Sequence, residues 1–149
     1  MKRFLALVFA VLMIAALAGC KDYSKHQFDY LGEDFSWDMT VEDAVKYIEL
    51  RQGQVKLGAE VSSYESHTTV SDQDYVFWFD ETGKIEFVKC DMHGNRDRLR
   101  QIVELYGEYD EYDESYDAYK WYGTMAGRET QMSFTTTMNL DVWLEFELA

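Results

Sequence analysis

Two helix starts, at Thr40 and Asn95, lie about 55 residues apart, and two hairpin turns, near 81 and 138, are separated by a similar distance. A pattern that returns at this spacing restricts the chain to a duplicated arrangement of helix and strands. Thr40 can cap a helix, Asp43 stands where a capping box puts its acid, and Val41, Ala44, Val45 and Ile48 follow at i, i+3, i+4 and i+7. This predicts about three turns of helix ending near Gly53. A polar strand is expected within 59–66. Tyr75 to Phe79 and Lys84 to Cys90 then read as a hairpin around Asp80-Glu81-Thr82-Gly83. After Asn95, the residues Leu99, Ile102, Val103 and Tyr106 form a second helical stripe that Gly107 stops. A strand near 118–123 and a closing hairpin, Glu129 to Thr136 and Asp141 to Leu148, complete the pattern.

The expected fold is α+β: one antiparallel sheet with helices on one face, built from two tandem α-β-β-β units at 37–92 and 95–148. In the last hairpin the alternation puts Met132, Phe134, Val142, Leu144, Phe146 and Leu148 inward and Ser133, Thr135, Asp141, Trp143, Glu145 and Glu147 outward. If residues 80–83 form a four-residue loop, Val76, Trp78, Ile85 and Phe87 share the core face. Tyr75, Phe77 and Phe79 then point outward with Lys84, Glu86, Val88 and Cys90. Tyr75, Phe77, Phe79 and Trp143 would therefore form an aromatic, charge-rimmed face suited to a protein partner.

The N-terminus carries a different kind of signal. Lys2 and Arg3 precede an unbroken apolar run from Phe4 to Leu17, which is too short for the roughly 20 residues of a spanning helix but suits the core of an export signal. Leu17-Ala18-Gly19-Cys20 follows and resembles the lipobox of bacterial lipoproteins. That resemblance implies that residues 1–19 are a signal peptide, that the Cys20 sulfur receives a diacylglyceryl group, and that the mature chain is lipid-anchored on the outer side of a cell membrane. Residues 20–34 read as a polar tether, and 35–149 as a single domain.

Removing residues 1–19 takes away two basic residues and no acid, so the formal charge falls from −14 to −16. Such a chain repels nucleic acid and anionic headgroups. With Cys20 consumed by lipid, Cys90 has no partner within the chain; it is either buried, the favoured fate, or available for intermolecular pairing. No disulfide then supports the core.

The segment Trp37-Asp38-Met39-Thr40-Val41-Glu42-Asp43-Ala44 is similar to the helix start of many lipoproteins of the β-lactamase-inhibitor-protein-like group, which includes small outer-membrane assembly lipoproteins. That group usually has two helices before each set of strands, where this sequence shows one. The helix-then-strands order also resembles short-repeat domains of protease propeptides. Both resemblances imply binding or inhibition and carry over no catalytic residue.

Two clusters invite chemistry. Cys90-Asp91-Met92-His93 places sulfur and imidazole at i, i+3, but His26 and His67 lie far off in sequence and no second Cys/His pair completes four ligands. From Glu108 to Asp117 six of ten residues are acidic, and tyrosines 106, 109, 112, 116, 119 and 122 interleave with them. Asp110, Asp113 and Asp117 could serve a cation, a small ligand or a basic partner. From Asp113, however, the glycine and glutamate places of a calcium loop hold Ala118 and Thr124. No nucleophile elbow, zinc-protease helix motif or phosphate loop is present. The leading reading is a non-enzymatic envelope lipoprotein without cofactor or metal, bound to a membrane by its lipid and to an unidentified protein by one face; the alternative is a cation or small-ligand binder using the acidic segment, and an enzyme with a dispersed site comes third.

Overall fold

The computed structural model describes residues 21–22, 30–32, 34–53 and 57–149. Cys20 and the export signal lie outside the described residues. The elements in chain order are β1 (Lys21–Asp22), α1 (Val41–Arg51), β2 (Glu60–Tyr64), β3 (His67–Ser71), β4 (Tyr75–Phe79), β5 (Ile85–Asp91), α2 (Arg98–Tyr106), β6 (Glu111–Asp113), β7 (Ala118–Met125), β8 (Arg128–Thr136) and β9 (Val142–Leu148).

All nine strands join one sheet in the order β1-β7-β8-β9-β5-β4-β3-β2, and β6 also pairs with β7. Pairing is antiparallel except between β1 and β7. The duplicated α+β order is as expected, with one more strand per unit. The polar β3 (HTTVS) and the short β6 (EYD) carry no apolar alternation that would mark them in the sequence. The two four-strand runs meet at their last strands, β5 against β9.

The core is written across the sheet in one row. Val61, Val70, Phe77, Val88, Phe146, Met132 and Trp121 are successive register partners from β2 to β7. All but the edge residue Val61 have no exposed surface. Both helices cover this side. α1 contributes Ala44, Tyr47 and Ile48, and the Tyr47 ring meets Phe77 edge-on at 5.2 Å. α2 contributes Ile102 and Tyr106. Cys90 is a free thiol buried in the same core, and burial pushes its pKa up.

Local signals explain the helix ends. The Thr40 hydroxyl accepts the Asp43 amide at 3.2 Å, and the Asp43 carboxylate accepts the Thr40 amide at 3.0 Å, the reciprocal box that the sequence announced. Asn95 does not cap α2. Its side chain accepts the Asp97 amide in a local turn, and the N-cap of α2 is Asp97, without a side-chain cap bond.

The stretch 20–34 is not a free tether where it is described. Lys21 and Asp22 pair with Gly123 and Thr124, and Leu31 is completely buried. Arg51 holds this arm in place: it is ion-paired with Asp34, donates to the Leu31 carbonyl at 3.1 Å, and stacks 3.4 Å from the Tyr47 ring centre. Gly32 makes the approach possible. Its φ is +78°, and a Cβ there would stand 2.0 Å from the Arg51 guanidinium. Farther along, the Trp37 indole donates to the Met125 carbonyl at 3.0 Å.

Candidate functional site

The face of the sheet away from the helices is the candidate site, and its composition differs from the sequence expectation at one decisive point. In β4–β5, Trp78 pairs with Phe87 but Phe79 pairs with Ile85, so Glu86 is an extra residue in a β-bulge. Asp80 organises the turn, accepting the amides of Thr82 and Lys84 at 2.7 and 3.0 Å. A bulge reverses the inside–outside parity of everything beyond it. Ile85 is inward as expected, but so are Val88 and Cys90, while Phe87 turns outward.

Parity in β4 follows. Phe77 and Phe79 are completely buried, and Tyr75 lies on the helix side, where its hydroxyl donates to the Tyr30 carbonyl at 3.1 Å. Phe77 and Phe79 therefore belong to the core and Tyr75 packs half-buried against it, so none of the three lies on the open face. Val76 and Trp78, expected inside, face out. Of the four proposed contact residues only Trp143 is on the open face, as register partner of Thr135 and Asp91. The closing hairpin has the expected parity throughout.

A different aromatic row takes their place. Tyr64 tilts against His67 at 5.8 Å; His67 stacks on Trp78 at 4.1 Å; Trp78 stacks on Phe87 at 5.1 Å. The Lys89 ammonium stands 5.3 Å from the Phe87 ring centre and 2.8 Å from the Glu145 carboxylate. Four strands thus present one ladder of rings whose edges meet solvent, and Tyr64 at its end is 66% exposed. Beside Phe87 a hollow of about 170 Å³ is lined by Lys89, Gln131, Ser133, Glu145 and Glu147. The signal for this row was the spacing Ile85, Val88, Cys90: two apolar residues three apart can both be inward in a strand only across a bulge.

The acidic segment is mostly occupied with its own structure. Asp110 accepts the Tyr122 amide at 2.9 Å, Asp113 pairs with Lys120 at 3.1 Å, and Asp117 binds Arg96 at 2.7 Å and the Tyr112 hydroxyl at 3.0 Å. The Lys120 hydrogen bond holds the Asp113 carboxyl below the usual carboxylate range and raises Lys120 in return. The three aspartates are spread along β6 and its turn, each with its own partner. Among the described residues no three of His, Cys, Asp and Glu converge on a common point for a metal ion. Nor do Cys90 and His93 converge: Cys90 is buried, whereas exposed His93 lies 3.1 Å from Asp74. A hollow of about 570 Å³ runs along α2 between Arg96, Leu99, Arg100, Val103 and Glu108, and is widely open. Among the described residues no helix is long and apolar enough to cross a membrane.

Comparison of the chain with protein-family models, with curated proteins and with solved structures returns no match.

Proposed function

We propose that this chain is a lipid-anchored envelope protein, carried by a diacylglyceryl group on Cys20, that binds another protein through the helix-free face of its sheet and performs no reaction of its own. The observation that supports the reading is the row Tyr64, His67, Trp78 and Phe87. Large stacked rings on a solvent face, running at the Phe87 end into a polar hollow lined by Lys89, Glu145 and Glu147, have the make-up of a protein-contact surface. The resemblance of residues 37–44 to lipoproteins of the β-lactamase-inhibitor-protein-like group points the same way. The cation-binding reading loses support because Asp110, Asp113 and Asp117 already serve internal partners.

The anchor and the face are tested separately. Cys20→Ser is expected to leave the protein uncleaved or released from membranes, and mass spectrometry of the wild-type mature protein should find Cys20 acylated. An unmodified Cys20 would refute the anchor. For the face, Trp78→Ala and Phe87→Ala are expected to keep the domain folded and to weaken capture of a membrane partner roughly 30-fold or more, since aromatic anchors at interface centres are worth about 2 kcal/mol or more. Folded variants that retain every wild-type partner would reduce the ladder to a device that stiffens the sheet.

A further inference from the structure

The two edges of the sheet are treated differently. On the outer side of β7, β6 pairs along Ala118–Lys120 and β1 along Gly123 and Thr124. At the other end, among the described residues, β2 pairs only with β3, and all five of its residues are exposed. Bare edges are normally protected by lysine, proline, a bulge or a covering element. Among the described residues β2 has none of these: its sequence is EVSSY, and its register with β3 runs unbroken through five pairs. Charge is also thin here. In a chain with 28 acidic residues, positions 57–71 hold only Glu60 and Glu65, and no lysine or arginine.

The backbone of this edge is self-complementary. Glu65 and Ser66 alone join β2 to β3, with Glu65 at φ +43°, so Tyr64 and His67 are the hydrogen-bonded closing pair of a two-residue hairpin. Alternation then turns the amides and carbonyls of Glu60, Ser62 and Tyr64 toward β3. The Thr69 hydroxyl, 3.4 Å from the Ser62 carbonyl, agrees with this orientation. Val61 and Ser63 are left with amide and carbonyl pointing away from the sheet.

We propose that β2 pairs antiparallel with β2 of a second copy, about a two-fold axis at Ser62. This is the one antiparallel register that overlaps all five residues. It sets Val61 against Ser63 of the second copy, and Ser63 against its Val61, exchanging about four backbone hydrogen bonds. Glu60 meets Tyr64 of the second copy rather than another acid, and the two Glu60 side chains stay about 13 Å apart, beyond the ~8 Å screening length. Val61, 49% exposed in the single chain, gains a neighbour on the helix side. The two aromatic ladders end side by side on the same outer face. Because a two-fold contact consumes the β2 edge of both copies, assembly through it stops at two copies rather than growing into a fibre. Contact of this size is weak in dilute solution, and co-anchoring in one membrane would raise the effective concentration that sustains it.

Cysteine cross-linking of the full chain in its own membranes tests the register. Ser62→Cys faces itself across the axis as a non-hydrogen-bonded pair with Cα atoms about 4.5 Å apart, within disulfide reach. Mild oxidation should convert it to a product of doubled mass, as Glu60→Cys and the wild type should not. Adding Val61→Pro to Ser62→Cys removes an outward amide while sparing the β3 ladder, and should abolish the product; Val61→Lys serves the same purpose if proline disturbs folding. Equal cross-linking at positions 60 and 62 would mean chance collision and overturn the proposal. So would a Ser62→Cys chain that reacts with maleimide but forms no dimer, or one that links to a different protein. The partner-capture variants at Trp78 and Phe87 leave this edge intact, so the dimer and the partner face fail independently; the co-anchoring rests on the proposed lipid at Cys20, which the acylation of Cys20 tests by itself.

Discussion

Phe77→Ala is expected to destabilise the domain by about 3–5 kcal/mol, the usual cost of deleting a fully buried aromatic ring. Phe77 sits mid-row between Val70 and Val88, with ring contacts to Phe35, Tyr47 and Tyr75, and alanine would open a void beneath α1. Whole domains are stable by only about 5–15 kcal/mol, so the loss should lower the melting temperature by roughly 10–20 °C or unfold the protein at growth temperature. Trp78→Ala, one residue along the same strand, should cost about 1–2 kcal/mol, because its ring is half-buried and gives up two stacking contacts. Thermal melts of the two variants measure the parity of β4 directly. Equal losses, or a larger loss at Trp78, would place the bulge at Glu86 elsewhere and return Phe77 to the solvent face.

Alkali should unfold the protein unusually early. Tyr47 and Cys90 are buried beneath α1, and desolvation raises both pKa values well above their ordinary values of 10.0 and 9.0; Tyr75 is pushed up to about 12, again mainly by burial. The folded state therefore keeps protons that the unfolded chain loses. Stability from these groups is complete below pH 9, begins to fall as the unfolded thiol titrates, and falls faster above pH 10 when the unfolded tyrosines join it. Each buried group that ionises only in the unfolded chain removes up to about 1.4 kcal/mol per pH unit, so Tyr47, half-ionised at pH 10 when unfolded, and Cys90 together take about 2 kcal/mol between pH 10 and 11. Chemical denaturation at a series of pH values should show this slope. Tyr47→Phe should flatten it and add stability near neutral pH, because the buried Tyr47 hydroxyl finds no hydrogen-bond partner among the described residues. A wild-type profile level from pH 9 to 11 would contradict the burial of both groups.

The ion pairs of the acidic segment illustrate why composition alone misleads about sites. Six carboxylates in ten residues suggested a ligand, yet β6 folds back on β7 and places Lys120 between Glu111 and Asp113, while Asp117 reaches Arg96 across 21 positions. The cations that neutralise the segment are distant in sequence or hidden by strand pairing. Of the arginines around the start of α2, Arg96 reaches the segment, whereas Arg100 pairs with Glu104 in its own helix.

What the sequence determined by itself is whatever is settled within a few residues or by one unbroken alternation. Thr40 and Asp43 close a box over three positions, Gly107 at φ +85° ends α2, and the last hairpin runs seven to nine residues without interruption, so its inward set needed no outside information. The duplicated helix-and-strand order followed from the same short-range patterns. Tertiary structure alone decided which side of β4 and β5 is inside. A period of two gives relative parity within a strand but not its sign, and one extra residue at Glu86 reverses that sign on the far side. The sign is set when Phe77 must match Val70 and Val88, and Val88 must match Phe146, so that a single row stays dry beneath the helices. That choice moved Tyr75, Phe77 and Phe79 into the core and brought Tyr64, His67, Trp78 and Phe87 to the surface, because burying one continuous apolar row outweighs the local symmetry of a hairpin whose two faces are both aromatic.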